Sequence, residues 1–102
     1  MKILYKKTAI EDIRETERYI SKELHNKQAA QKLTRMIVQS VSLLSTHPYM
    51  GTPLSSIYDV ETDIRFLVVS KHLVFYRVRE EQAIEITRVI DGRQDYLALL
   101  FS

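Results

Sequence analysis

Ile64-Arg-Phe-Leu-Val-Val-Ser70, Lys71-His72 and Leu73-Val-Phe-Tyr-Arg-Val-Arg79 follow one another with no glycine or proline between them. The period changes to two and β-branched and aromatic residues take over in both runs, so the stretch predicts two antiparallel strands joined by a tight turn at Lys71-His72. Glu80-Glu81-Gln82 turns the chain again into Ala83-Ile-Glu-Ile-Thr-Arg-Val-Ile90, a third strand. The two-residue period sets Val74, Tyr76 and Val78 on one face of this meander and Arg77 with Arg79 on the other. A three-strand sheet is not stable alone, so something apolar must cover the first face.

The cover lies upstream. Ala9, Ile13, Ile20 and Leu24, with Thr16, recur at helical spacing, and Ala30, Leu33, Ile37, Val41 and Leu44 do the same. Thr8 with Glu11 has capping-box spacing for the first helix, Asn26 caps the second, and His47-Pro48 stops it. A short joint at His25-Asn26 makes the pair an antiparallel hairpin. Ile3-Leu4-Tyr5 offers a fourth short strand. Beyond Asp91-Gly92, Tyr96, Leu97, Leu99, Leu100 and Phe101 predict a terminal helix apolar almost all round, with surface left over for a partner. The expected fold is therefore α+β: an N-terminal strand, an antiparallel helix hairpin packed on a small antiparallel sheet, and a short C-terminal helix. The chain of 102 residues reads as one domain, 1–102, with no internal repeat.

Composition narrows the chemistry. No cysteine is present, which removes disulfides, thiolate metal sites and thiol catalysis and suits a reducing cytoplasm. The start has too short an apolar run for a signal peptide, and no stretch approaches the roughly 20 apolar residues of a membrane span. The net charge of +2 is too small, and acids and bases too interleaved, for a protein that grips nucleic acid unaided. His25, His47 and His72 fall at helix ends or turns without metal-ligand spacing and read as capping or surface groups. Asp59, Glu61 and Asp63 lack the glycine and terminal glutamate of a calcium loop. There is no phosphate cradle, GxSxG or Walker lysine. No cofactor or metal is expected. What remains is a set of cations in the second half: Arg65, Lys71, Arg77, Arg79, Arg88 and Arg93. Paired guanidiniums such as Arg77 and Arg79 suit phosphate or a partner's carboxylates, or else internal pairs with Glu85 or Asp95.

The element order resembles the ParE/RelE superfamily of type II toxin–antitoxin toxins over nearly the whole chain. The residues that carry it are Ala9 with Asp12-Ile13, Leu44, Pro48 and Gly51, Arg65 through Ser70, His72 through Arg77, and Ile86-Thr-Arg-Val-Ile-Asp-Gly-Arg93 with Asp95. Two activities are implied. A RelE-like messenger-RNA interferase would use Arg93, Arg77, Lys71 and Tyr96. Against this, Leu73 stands where such ribonucleases have a strand arginine, Ile64 and Phe66 stand where they often have lysines, and the tyrosine position falls near Leu99. Loss of one such cation costs on the order of 10² to 10³ in rate.

The run His72 to Arg77 instead resembles the ParE subfamily, the toxins of plasmid stabilisation systems, which are not enzymes but inhibit DNA gyrase by binding it. That resemblance implies a ParD-like antitoxin whose C-terminal segment, disordered when free, folds around the toxin, an arrangement suited by apolar groove walls between hairpin and sheet and by an arginine-bearing sheet rim that could pair with an acidic peptide. It implies no membrane partner and no stable direct binding to nucleic acid. The partner-binding candidates are Arg65, Arg77, Arg79, Arg93, Tyr96, Leu99 and Phe101. A third reading is a non-toxic relative that only binds antitoxin.

Overall fold

The computed structural model describes residues 1–80 and 82–101. Among them β1 (Lys2–Tyr5), α1 (Lys7–Arg18), α2 (Lys27–Ser42), β2 (Thr52–Pro53), β3 (Arg65–Val69), β4 (His72–Arg79), β5 (Ala83–Asp91) and α3 (Tyr96–Phe101) form the frame. The sheet has five strands in the order β1-β5-β4-β3-β2. β3, β4 and β5 are the expected meander, and β1 adds to it parallel to β5. β2, two residues paired with Arg65 and Phe66, is the strand the periodicity did not reveal, because two residues have no period. No helix among the described residues is long and apolar enough to cross a membrane.

The hairpin covers one face of the sheet. Ala9 of α1, Ile37 and Val41 of α2, and Leu44 just beyond it are buried against Val69, Val74, Tyr76, Ile84, Ile86 and Val89. Strict alternation from Ile84 and Ile86 would bring Arg88 into that core. Instead the register slips between Phe75 and Tyr76: Phe75 pairs with Arg88 and Tyr76 with Ile86, leaving Thr87 as the extra residue of a β-bulge. Val89 thereby takes the inward position. The free backbone groups of the bulge are bonded, since Thr8 Oγ1 donates to the Thr87 carbonyl (2.7 Å) and Thr87 Oγ1 to the Phe75 carbonyl (3.1 Å).

Several expectations are corrected by the structure. Thr8 does not cap α1; extended Lys6 precedes the helix without a side-chain cap, and the Thr8 hydroxyl serves the bulge. Asn26 does cap α2, accepting from the Ala29 N–H at 3.0 Å. Leu24 leaves the inner stripe and is 56% exposed. The cause is a π-helical turn over Tyr19–Glu23, whose i→i+5 bonding inserts one residue and rotates the next side chains off the face. The meander turn sits at Ser70-Lys71, with Ser70 at φ 57°, so His72 belongs to β4. Of the next turn, Glu81 lies outside the described residues.

The second sheet face is covered where polar solvation was one option. Leu54, Ile64, Phe75 and Ile90 form a separate cluster under Tyr58, Tyr96, Leu97 and Leu100. Tyr96 packs 5.6 Å from the Phe75 ring centre. Thus α3 spends most of its apolar surface internally, although Leu99 and Phe101 stay exposed.

Tyr76 ties the loop after α2 to the sheet. Its buried hydroxyl accepts from the Gly51 N–H and donates to the Pro48 carbonyl, both at 2.9 Å. A Cβ on Gly51 would lie 2.5 Å from that oxygen, which explains the glycine by close approach. Replacing Tyr76→Phe strands both backbone groups and should lower stability by about 1–3 kcal/mol in urea denaturation, with an unchanged slope.

Candidate functional site: a cleft between hairpin and sheet

α1, the π-helical turn and α2 stand away from the ends of β4 and β5 and leave a cleft of about 1020 Å³. Ile20, Leu24, Leu33 and Met36 give it apolar walls, and Tyr19 and Leu99 stand at its margin. Lys32, Lys71, Arg88 and Arg93 bring positive charge to it, with Asp12, Glu15 and Asp91 as acidic counterparts.

Its inner wall is built around Asp12. This carboxylate accepts from Arg88 Nε (2.7 Å), Arg88 Nη2 (3.0 Å) and the Val89 N–H (2.9 Å). The bidentate pair also holds the Arg88 pKa above its ordinary value, the hydrogen bonds to Asp12 outweighing partial burial. Nothing in the sequence announces this pair, because its members lie 76 residues apart.

At the far end, Asp91 takes Arg93 by three bonds, to its N–H (2.8 Å), Nε (3.0 Å) and Nη2 (2.6 Å). These bonds hold the Asp91 carboxyl well below the usual carboxylate range. The next turn is closed by the Gly92 N–H donating to the Lys71 carbonyl at 2.8 Å. His72, opposite Asp91 in the sheet register, is only 9% exposed and its Nδ1 finds no partner. The expectation of a capping or surface histidine therefore fails for His72. Burial pushes its pKa below 6.5, Asp91 pulls it up and Arg93 pushes it down again.

Of the six cations singled out from the sequence, Lys71, Arg88 and Arg93 line the cleft, the last two paired with Asp12 and Asp91, and Arg65, Arg77 and Arg79 do not. Lys71 and Arg93 line the cleft together with Leu99. Arg77 lies 2.9 Å from Asp63 and Arg79 lies 3.1 Å from Glu85. Both sit on the Phe75 side of β4, and Arg77 is six residues from Lys71, about 20 Å along the strand. Arg65 is turned into the loop after α2, donating to the carbonyls of Tyr49 (3.1 Å) and Gly51 (2.9 Å) and lying over the Tyr49 ring at 5.0 Å. The Tyr96 hydroxyl is shared with that of Tyr58. Phe101 is exposed but does not line the cleft. The residues that sequence reasoning missed as cleft formers are Tyr19, Lys32 and His72. Their only sequence signal was the apolar groove implied by a helix hairpin over a sheet. No group of acids and histidines among the described residues is arranged to hold a metal ion.

A helix hairpin over a five-strand mixed sheet, with a cleft at one end, defines a small α+β domain. Residues 3–96 match the family model described as the ParE toxin of the type II toxin–antitoxin system parDE. The chain belongs to that family. Among solved structures, it is similar to the chromosomal ParDE toxin–antitoxin system from P. aeruginosa. The two share 21% identity over 89% of this chain and 95% of that one, with a TM-score of 0.73, a likeness in fold. A comparison with curated proteins gave no match.

Two measurements test the geometry. Asp12→Ala leaves Arg88 and the Val89 N–H unpaired and should cost about 1.5–3 kcal/mol, with a double-mutant cycle against Arg88→Ala returning much of it as coupling. The His72 ring should titrate below pH 6.5 by NMR, moving up in Arg93→Ala and down in Asp91→Asn. Because its folded pKa is the lower one, the stability tied to the neutral ring is complete above pH 6.5. It is lost as pH falls through the folded value.

Proposed function

We propose that this ParE-family chain acts in the cytoplasm as a growth-inhibiting toxin that binds DNA gyrase, and that a small cognate antitoxin silences it by laying a folding segment into the cleft. The observation that carries the reading is the cleft itself. Ile20, Leu24, Leu33 and Met36 offer apolar anchorage, while Lys32 and Lys71 suit the acidic flank of an amphipathic helix. A segment disordered when free gains its structure in the groove, so its affinity depends on apolar contacts that exceed the ordering cost.

The scatter of the basic residues supports a binding role over ribonuclease chemistry. A phosphoryl-transfer site needs its cations within reach of one phosphate. Here Arg77 is engaged with Asp63 about 20 Å along β4 from Lys71, and the Tyr96 hydroxyl is occupied by Tyr58.

Purified chain at micromolar concentration, without antitoxin, should inhibit gyrase supercoiling and leave ribosome-bound message intact; unaffected gyrase would sink the target assignment. Leu24→Glu with Lys32→Glu, both at exposed positions in the cleft wall, should weaken antitoxin binding by about tenfold or more. Unchanged antitoxin affinity in that variant would refute the placement of the antitoxin without touching the gyrase claim.

A further inference from the structure

His72 and Asp91 stand directly opposite each other in the β4–β5 register, and both line the cleft. Side chains so placed have Cβ atoms about 4.5–5.5 Å apart. Asp91 is nevertheless given over to Arg93, whose N–H and Nε occupy Oδ1 (2.8 and 3.0 Å) and whose Nη2 occupies Oδ2 (2.6 Å). His72 Nδ1 is left without a partner in a residue only 9% exposed. A neutral ring tolerates that position. A protonated one does not, because both of its nitrogens then carry hydrogens and a buried charge needs an acceptor.

The charges around the ring leave one candidate. From α1 come Asp12, Glu15 and Tyr19, from α2 Lys32, from the turn before β4 Lys71, and from β5 Arg88 and Asp91, with Arg93 just beyond. Asp12 is committed to Arg88 and the Val89 N–H. β3 offers only Val69 opposite His72. The charges that act on the ring are Asp91, which favours its protonation, and Arg93, which opposes it. These two cations are unlike as competitors for Asp91. The Arg93 side chain is 76% exposed, so water solvates its guanidinium as soon as the pair opens, whereas the ring stays in the cleft wall. The exchange needs only side-chain rotation, because the Gly92 N–H on the Lys71 carbonyl (2.8 Å) holds the backbone of the turn.

We propose that acidification transfers the Asp91 carboxylate from Arg93 to His72 and releases the Arg93 guanidinium at the cleft, so that the charge the cleft presents is set by pH. At neutral pH the ring is uncharged and Arg93 stays clamped. Burial keeps the ring neutral down past pH 6.5, so the exchange is thrown below that value and reversed above it. In the acid form the pair His72–Asp91 is internally neutralised and Arg93 is left as a mobile cation beside Lys71, which strengthens the pull of the cleft on anions. The device belongs to the chain alone and is independent of the gyrase and antitoxin assignments.

The test is an NMR titration of the isotope-labelled full chain from neutral to mildly acidic pH, following the His72 ring, the Arg93 Nε–H and the Asp91 Cγ. As the ring protonates, the Arg93 Nε–H resonance should move to that of exposed arginines without an ion pair, such as Arg35, and with the same midpoint as the ring. The Asp91 carboxylate should remain ionised throughout. His72→Gln keeps a polar side chain but cannot titrate, and with the fold retained by circular dichroism it should abolish the pH dependence of the Arg93 resonance. The proposal is overturned if the ring titrates while Arg93 stays in place, if Arg93 moves only where Asp91 itself takes up a proton, or if Arg93 still titrates in His72→Gln. Should that variant fail to fold, the unaltered chain decides alone: coincident midpoints for His72 and Arg93 support the exchange, and separate ones overturn it.

Discussion

The Asp12 carboxylate holds α1 to β5 by three hydrogen bonds, two from Arg88 and one from the Val89 N–H. It grips the strand just past the bulge at Thr87, where the ladder to β4 is interrupted and backbone groups would otherwise go without partners. The same contact fixes one wall of the cleft, because Asp12, Arg88 and Val89 all line it. Bulge, helix position and cleft width are thus one constraint. Without the extra residue Arg88 would face the core, and without Asp12 its charge would stand half-buried and unpaired.

At the opposite side of the sheet the loop after α2 is held by different means. Tyr76 bridges Gly51 and Pro48, and Arg65 covers the same loop with two bonds and its contact on Tyr49. All five arginines in the second half of the chain are therefore occupied: Arg65 by carbonyls, Arg77, Arg79, Arg88 and Arg93 by carboxylates. The lysines are left as the adjustable charge of the surface, at Lys32 and Lys71 beside the cleft and at Lys2, Lys6 and Lys7 in and beside β1. An ammonium group on a flexible stem is suited to steering and variable contact, whereas the planar guanidinium is suited to fixed bidentate pairs.

The legible parts of the molecule were those that depend on neighbours in sequence. Periodicity over Ala30 to Leu44 identified α2 and its buried face, Asn26 its start, and the alternation in 64–79 two central strands. The groove between hairpin and sheet followed from stacking one on the other. Less was visible at the site. Lys71, Arg93 and Leu99 were marked, but the same reasoning marked Arg65, Arg77 and Arg79, which the fold engages elsewhere. His72 looked like a turn residue because a shift of one position in a tight turn leaves the pattern intact yet moves the ring from solvent into the cleft wall.

The sequence by itself determined the elements, their order, their inner faces and the kinship with ParE toxins, since these rest on local spacing and on residues read in order. Tertiary structure alone decided the bulge at Thr87, the π-helical turn that frees Leu24, the Asp12–Arg88 pair and the burial of His72. Apart from the π-helical turn, which is local to Tyr19–Glu23, each of these is a contact or a register between segments far apart along the chain. Such a choice is made by the geometry of packing two layers together, and no spacing within one segment encodes it.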